Sequence, residues 1–202
     1  HGDVSNPRGR FINFLRNGGE NAQHVFEADA STSDRHTKTN IAGRQSLLRV
    51  LRFVRSLPGC ENACVLKAQP ETAVRETYRI VGEVQITHRD YTSGRIFDDA
   101  ISYSFYPIDL HDHDGVKPKP LSEGIIATVP LRALIPKESR NLLVAGRSVS
   151  SDRLANSALR VQASCMAMGQ AAGAAAALSA HLETTPGQVS VTALHELLIQ
   201  HG

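Results

Sequence analysis

Asp109-Leu110-His111-Asp112-His113-Asp114 sets two imidazoles and three carboxylates within six residues. On an extended segment, His-x-His puts both rings on one side. With Asp109, His111 and His113 could hold Zn²⁺ or another divalent cation. That would make a metal-dependent hydrolase or a metal-binding module. Asp114-Gly115 reads as a turn, so a solvated loop is the plainer reading. A second chemical candidate lies in residues 141–180. Asn141-Leu142-Leu143-Val144-Ala145 is a short apolar run closed by Gly146. It predicts a strand buried on both faces, with a glycine that lets another group approach the backbone. The following helix begins near Arg160-Val161-Gln162. Its first N–H groups lack intrahelical partners, and its dipole favours anions or developing negative charge there.

The elements that must position these groups follow from periodicity. Residues 11–15 and 25–28 read as short strands, and 29–40 as a loop or helix entry. Residues 42–57 predict an amphipathic helix with Leu47, Leu48, Leu51 and Val54 on one face. Arg49, Arg52 and Arg55 line a solvated side, and Pro58-Gly59 ends the helix. Residues 63–68 read as a short strand, 74–84 as extended, and 87–93 as a short helix. Residues 100–110 read as a strand, with Ile101, Tyr103 and Phe105 alternating against Ser102 and Ser104. Residues 115–120 form a turn or loop, 125–129 a strand, and 130–136 a connector bounded by prolines. A polar loop over 147–159 leads into an Ala-rich helix over 161–180, and a last helix covers 191–200. In the Ala-rich helix, Gly169 and Gly173 share a face, beside a stripe of Ala172, Ala176 and Ala180. Small residues there predict close packing in a core or a dimer seam.

Composition narrows the function classes. The chain has 202 residues, 41% of them hydrophobic and 21% charged, with a net charge of +2. This supports a folded core and argues against disorder or a phosphate-tracking basic surface. Without Trp, and with few Phe and Tyr, no aromatic platform for nucleic-acid bases is suggested. Cys60, Cys64 and Cys165 are odd in number, which excludes a full disulfide framework; Cys60 and Cys64, four apart, could bridge, but so few cysteines in a chain of this size favour free thiols. Residues 161–180 carry no charge but are mostly Ala, Gly, Ser and Gln. A bilayer span needs about 20 predominantly apolar residues, so a helix buried in protein is expected and no membrane partner. The only methionines are Met166 and Met168, so the chain reads as a piece of something longer. No signal peptide is visible, which leaves the compartment open and favours the cytoplasm.

Residues 131–150 (LRALIPKESRNLLVAGRSVS) and 157–173 (SALRVQASCMAMGQAAG) carry a linked set of motifs. They run R-x-L-x-P, then N-L-L-V-A-G-R, then L-R-V, then C-M-A-x-G-Q-A-A-G. Residues 75–83 (RETYRIVGE), 94–101 (GRIFDDAI) and 106–111 (YPIDLH) precede them in order. As a set over about residues 60–180, they resemble the C-terminal part of the FAD-dependent oxidoreductases, relatives of the glutathione-reductase-type flavoproteins.

The resemblance implies an α/β fold, α+β within this chain. Substrate-domain strands would be followed by the C-terminal strand–loop–helix of a glutathione-reductase-like FAD domain. It implies FAD as cofactor and hydride exchange with a small-molecule substrate. Ala145, Gly146 and Arg147 would approach the ribityl–pyrophosphate portion. Arg160, Val161 and Gln162 would face the pyrimidine side of the ring, where helix-end N–H groups stabilise charge that appears on reduction. Arg75 and Arg132 are candidates to clamp a substrate carboxylate or carbonyl, and His111 to act as acid or base. Each Arg could instead sit in a structural ion pair, for instance with Glu76 or Asp98, and His111 could be a satisfied structural histidine.

The family's pyrophosphate turn, G-x-G-x-x-G with an acidic residue about 20 positions on, does not occur in this chain. The dinucleotide-binding half is therefore expected upstream. Residues 1–140 would be the substrate-domain portion and 141–202 the return segment. This piece alone is expected to hold FAD weakly or not at all, and to be inactive by itself. A non-catalytic interaction domain, with a homo-oligomer joined through the small-residue helix, is the third reading.

Overall fold

The computed structural model describes residues 23, 25–112, 115–116 and 118–201, and for 111–112 and 115–116 the backbone alone. The chain forms two compact units: residues 1–77 with 111–117, and residues 78–110 with 118–202. Compact packing thus places residues on both sides of position 140 in the second unit. The expected strand over residues 11–15 lies outside the described residues. Both helices and strands are present, so the fold is mixed α/β.

In the first unit, helix α1 spans Ser33–Arg55, well upstream of the start expected at residue 42. Thr32 caps it, its hydroxyl accepting from Arg35 N–H at 3.2 Å. Asp34 in the first turn and Arg52 and Arg55 in the last complement the helix dipole. Of the two readings of residues 29–40, loop or helix entry, the structure takes the helix entry. The buried face is Thr39, Ser46, Val50 and Val54, while Leu48 is 50% exposed. The buried face therefore includes small polar residues that a search for leucines overlooks. They are admitted because residues 70–72 cross the helix closely. A Cβ at Gly43 would stand 2.5 Å from Thr72 Oγ1, and Thr72 N–H donates to Asn40 Oδ1 at 2.7 Å. Residues 25–28 and 63–68 are irregular rather than strands. The two-residue strands β2 (His111–Asp112) and β3 (Gly115–Val116) pair antiparallel.

In the second unit, helix α2 (His88–Ser93) starts in a capping box of Thr87 and Asp90 and stops at Gly94, φ +66°. Strand β1 (Ala100–Ser104) pairs antiparallel with β4 (Ala127–Pro130). A bulge between Ala100 and Ser102 shifts the side-chain alternation by one place. Ile101 still points inward, but Tyr103 and Phe105 are 73% and 75% exposed and Ser104 is buried. The alternation expected for residues 100–110 is therefore reversed beyond the bulge, and the strand ends at Ser104.

A 3-10 turn (Leu131–Ala133) leaves β4, and a second one covers Gly146–Ser148. Residues 141–145 are not a strand. Val144 N–H donates to Leu134 C=O at 2.8 Å, and among the described residues no strand pairs with the segment. The segment read as a polar loop contains helix α3 (Arg153–Leu159), capped by Asp152. Helix α4 (Gln162–His181) and helix α5 (Val191–Gln200) fall within a residue of the spans expected for them.

The core gathers Ile86, Tyr91, Val129, Leu134, Val149, Leu159, Met168 and Leu194. Each fully buried side chain of this size contributes about 1.5–3 kcal/mol. Helix α4 buries Ser164, Met168, Ala171, Ala175 and Ser179. Gly169 and Gly173 instead have nothing within 4 Å of an added Cβ among the described residues. Among the described residues, no helix is long and apolar enough to cross a membrane.

Candidate functional site

Gly146 has φ +79°, a conformation that side chains with a Cβ rarely adopt. The turn it starts is held from several directions. Val149 N–H closes it on Gly146 C=O at 3.1 Å, and Ile80 N–H donates to Ser148 C=O at 2.9 Å. Asn156, fully buried in α3, donates from Nδ2 to Arg147 C=O and to Ser151 Oγ, both at 3.1 Å. A Cβ at position 146 would lie 3.9 Å from Cys165 Sγ, so the turn rests against the first turns of α4. The Arg147 side chain is exposed.

Helix α4 starts at N-cap Val161, which offers no side-chain cap. Gln162 and Ala163 are exposed. Their N–H groups lie at the positive end of a 20-residue helix. Cys165 packs behind them, its thiol 3.7 Å from Leu159 C=O. Burial pushes that thiol up from its ordinary range, and the positive charge of Arg147 opposes the shift. Arg160 ends α3, and its Nη2 donates to Asp109 C=O at 3.0 Å. Ser157 Oγ accepts Asp109 N–H at 3.1 Å. The structure thus sets the Gly146 turn, with Arg147, against Cys165 in the first turn of the helix that begins at Val161 and Gln162. It gives the Arg160 guanidinium the task of holding the chain at Asp109.

Arg132 forks onto Asp99, with Nε to Oδ2 and Nη2 to Oδ1 both at 3.0 Å, and also pairs with Asp98. The structural ion pair weighed for it in the sequence is therefore realised, with Asp99 as an added partner. Burial pushes the Asp99 carboxyl up, but hydrogen bonds and charge from Arg132 outweigh this and hold it below 3.8. Arg75 is exposed on the irregular end of the first unit. The side chain of His111, and His113 and Asp114 altogether, lie outside the described residues. Among the described residues, no three His, Cys, Asp or Glu side chains gather as a metal would require. A shallow cleft beside Asn141, Leu143, Ala176 and Ala180 lies at the other end of α4 and contains none of the predicted residues.

Sequence reasoning missed the supporting side chains. Asp152 is one, and Asp-x-x-Ala before a helical stretch was its signal. Asn156, Tyr91, Ser104 and Ser164 are others. Only the rule that a buried tyrosine hydroxyl finds a partner points toward Tyr91, and no sequence pattern marks the serines.

A glycine turn with an exposed Arg, beside uncapped helix-start amides, fits a group that carries phosphate and gains negative charge on a ring. Comparison with curated proteins finds no match, and neither does comparison with solved structures. The family model described as FAD dependent oxidoreductase matches residues 4–198. That match spans nearly the whole chain, including the segments that build the Gly146 turn and the start of α4, so the chain belongs to the FAD-dependent oxidoreductase family, with FAD as its cofactor.

Proposed function

We propose that the protein exchanges a hydride between FAD and a small organic substrate. Gly146, Arg147 and the α4 amides would hold the cofactor. The observation that carries this reading is the Gly146 turn resting against a helix start that has no side-chain cap. When bound, FAD supplies the two-electron chemistry. The chain's own part is electrostatic and steric. Ala145 and Gly146 let the ribityl–pyrophosphate portion come close to the backbone. Arg147 offers a guanidinium to phosphate oxygens. The N–H groups of Gln162 and Ala163 face developing negative charge and need not reorganise. Val161 sets the start of the helix, and Arg160 fixes the chain at Asp109 beside it.

For the substrate, Arg75 is the proposed carboxylate or carbonyl clamp and His111 the proposed acid or base. Arg132 is engaged by Asp99 and Asp98, so its proposed part is to brace the turn after β4. The test is the visible absorption of the full-length protein with and without added FAD. A flavin band that bleaches on reduction supports the reading. A folded, colourless protein that takes up no FAD overturns it.

A further inference from the structure

Tyr91, in α2, is fully buried, and its hydroxyl donates to Tyr106 C=O at 2.8 Å. The same hydroxyl is 2.9 Å from Ser104 Oγ at the end of β1. Ser104 Oγ is in turn 3.0 Å from Ser164 Oγ in the first turn of α4. Ser104 and Ser164 are 3% and 5% exposed.

The direction of this chain is fixed by its end. A backbone carbonyl only accepts, so the Tyr91 proton is committed to Tyr106. Ser104 must then donate to Tyr91, and Ser164 to Ser104. Because a peptide carbonyl does not take up a proton near neutral pH, the chain is not a proton relay. Buried hydroxyls lose hydration and recover it here only through one another and the Tyr106 carbonyl. A Phe and two alanines would avoid that loss, so what the hydroxyls add is directional geometry.

That geometry reaches the candidate cofactor site. Ser164 ties the first turn of α4 to β1, while its neighbour Cys165 lies against the Gly146 turn. The turn bearing the exposed Gln162 and Ala163 is gripped from two sides. We propose that Tyr91, Ser104 and Ser164 are positioning residues that set the orientation of the α4 helix start toward FAD. This rests on the flavin reading above.

The test uses the full-length protein with Ser104→Ala, Ser164→Ala, the double variant, and Tyr91→Phe, each checked for folding by far-UV circular dichroism. Ser164→Ala is the mildest change, and it keeps the test usable if Tyr91→Phe does not fold. Each single serine variant is expected to raise the Kd for FAD roughly two- to tenfold, the effect of one lost hydrogen bond. The double variant should be no worse than the more affected single one, because either change breaks the same chain. The flavin absorption band should shift as well. Folded variants with parental Kd and spectrum would overturn the proposal, even with a lowered Tm. If the parent protein takes up no FAD, the flavin reading itself has failed. Amide hydrogen exchange over residues 162–166 then decides the positioning claim: faster exchange in Ser164→Ala supports it, and unchanged exchange overturns it.

Discussion

Arg132 meets Asp99 side-on, Nε to Oδ2 and Nη2 to Oδ1 at 3.0 Å, and its backbone N–H also donates to Asp99 Oδ2 at 2.8 Å. Asp99 is the buried partner, with a side chain 8% exposed against 41% for Arg132. The two ends of the pair are therefore unequal. Arg132→Ala strands a buried carboxylate and should destabilise by about 1–3 kcal/mol. Asp98→Ala removes a well-exposed partner and should change stability by less than about 0.5 kcal/mol. Urea unfolding of the two variants measures this, and equal effects would contradict it.

The same pair sets an acid limit. Asp99 is pushed up by burial and pulled further down by Arg132. Asp90 is likewise pushed up by burial and held down by Arg95 and Thr87. Both folded values lie below the ordinary 3.8. Their stabilisation is complete above that value and is lost as pH falls through the folded values. The Tm should therefore decline as pH drops below about 4, and Arg132→Ala should flatten part of that decline. An unchanged acid limb in the variant would remove Asp99 from the account.

Regular elements were legible where local signals were strong. Helix α4 follows from its long Ala-rich, uncharged stretch, and α5 and the short α2 form within the spans expected of them. What escaped is decided by contacts distant in sequence. The bulge at Ala100–Ser102 turns Tyr103 outward and Ser104 inward, and nothing in the local alternation announces it. The run 141–145 carries the composition of a buried strand, but composition does not supply a paired neighbour. The candidate site segments are named from their motifs. The side chains that hold them, Asn156 and Ser164 among them, are not, because each is defined by a partner on another element.

Gly146 separates backbone strain from space. A Cβ there would meet Cys165 only at ordinary contact distance, 3.9 Å, yet φ is +79°. Gly146→Ala should therefore destabilise by about 1–2 kcal/mol through strain alone. In the full-length protein it should weaken FAD binding more than that loss of stability explains. Thermal denaturation paired with FAD titration measures both, and a variant with parental FAD affinity would take Gly146 out of the cofactor site.

The three thiols are free and should react in a set order. Cys64 is exposed. Cys165 is half-buried, its thiol pushed up by burial despite Arg147, and only the thiolate reacts. Alkylation at neutral pH, followed by peptide mass analysis, should label Cys64 first and Cys165 last. Early labelling of Cys165 would mean that the Gly146 turn leaves it more open than its packing indicates.

Asp152 joins two helix starts. Its Oδ1 accepts Ala155 N–H of α3 at 2.8 Å, and its Oδ2 accepts His88 N–H of α2 at 2.5 Å. An ordinary N-cap contributes about 1 kcal/mol. Loss of Asp152 leaves donors at two helix ends, so Asp152→Ala should destabilise by about 2–3 kcal/mol. Asp152→Asn keeps one acceptor oxygen but loses the charge, and should fall about midway. Thr87→Ala removes the hydroxyl cap of α2 while leaving Asp152 on His88, and should show only the ordinary cap loss of about 1 kcal/mol. Urea midpoints for the three variants give the ranking. If Asp152→Ala were no worse than Thr87→Ala, the contact from α3 to α2 would contribute nothing.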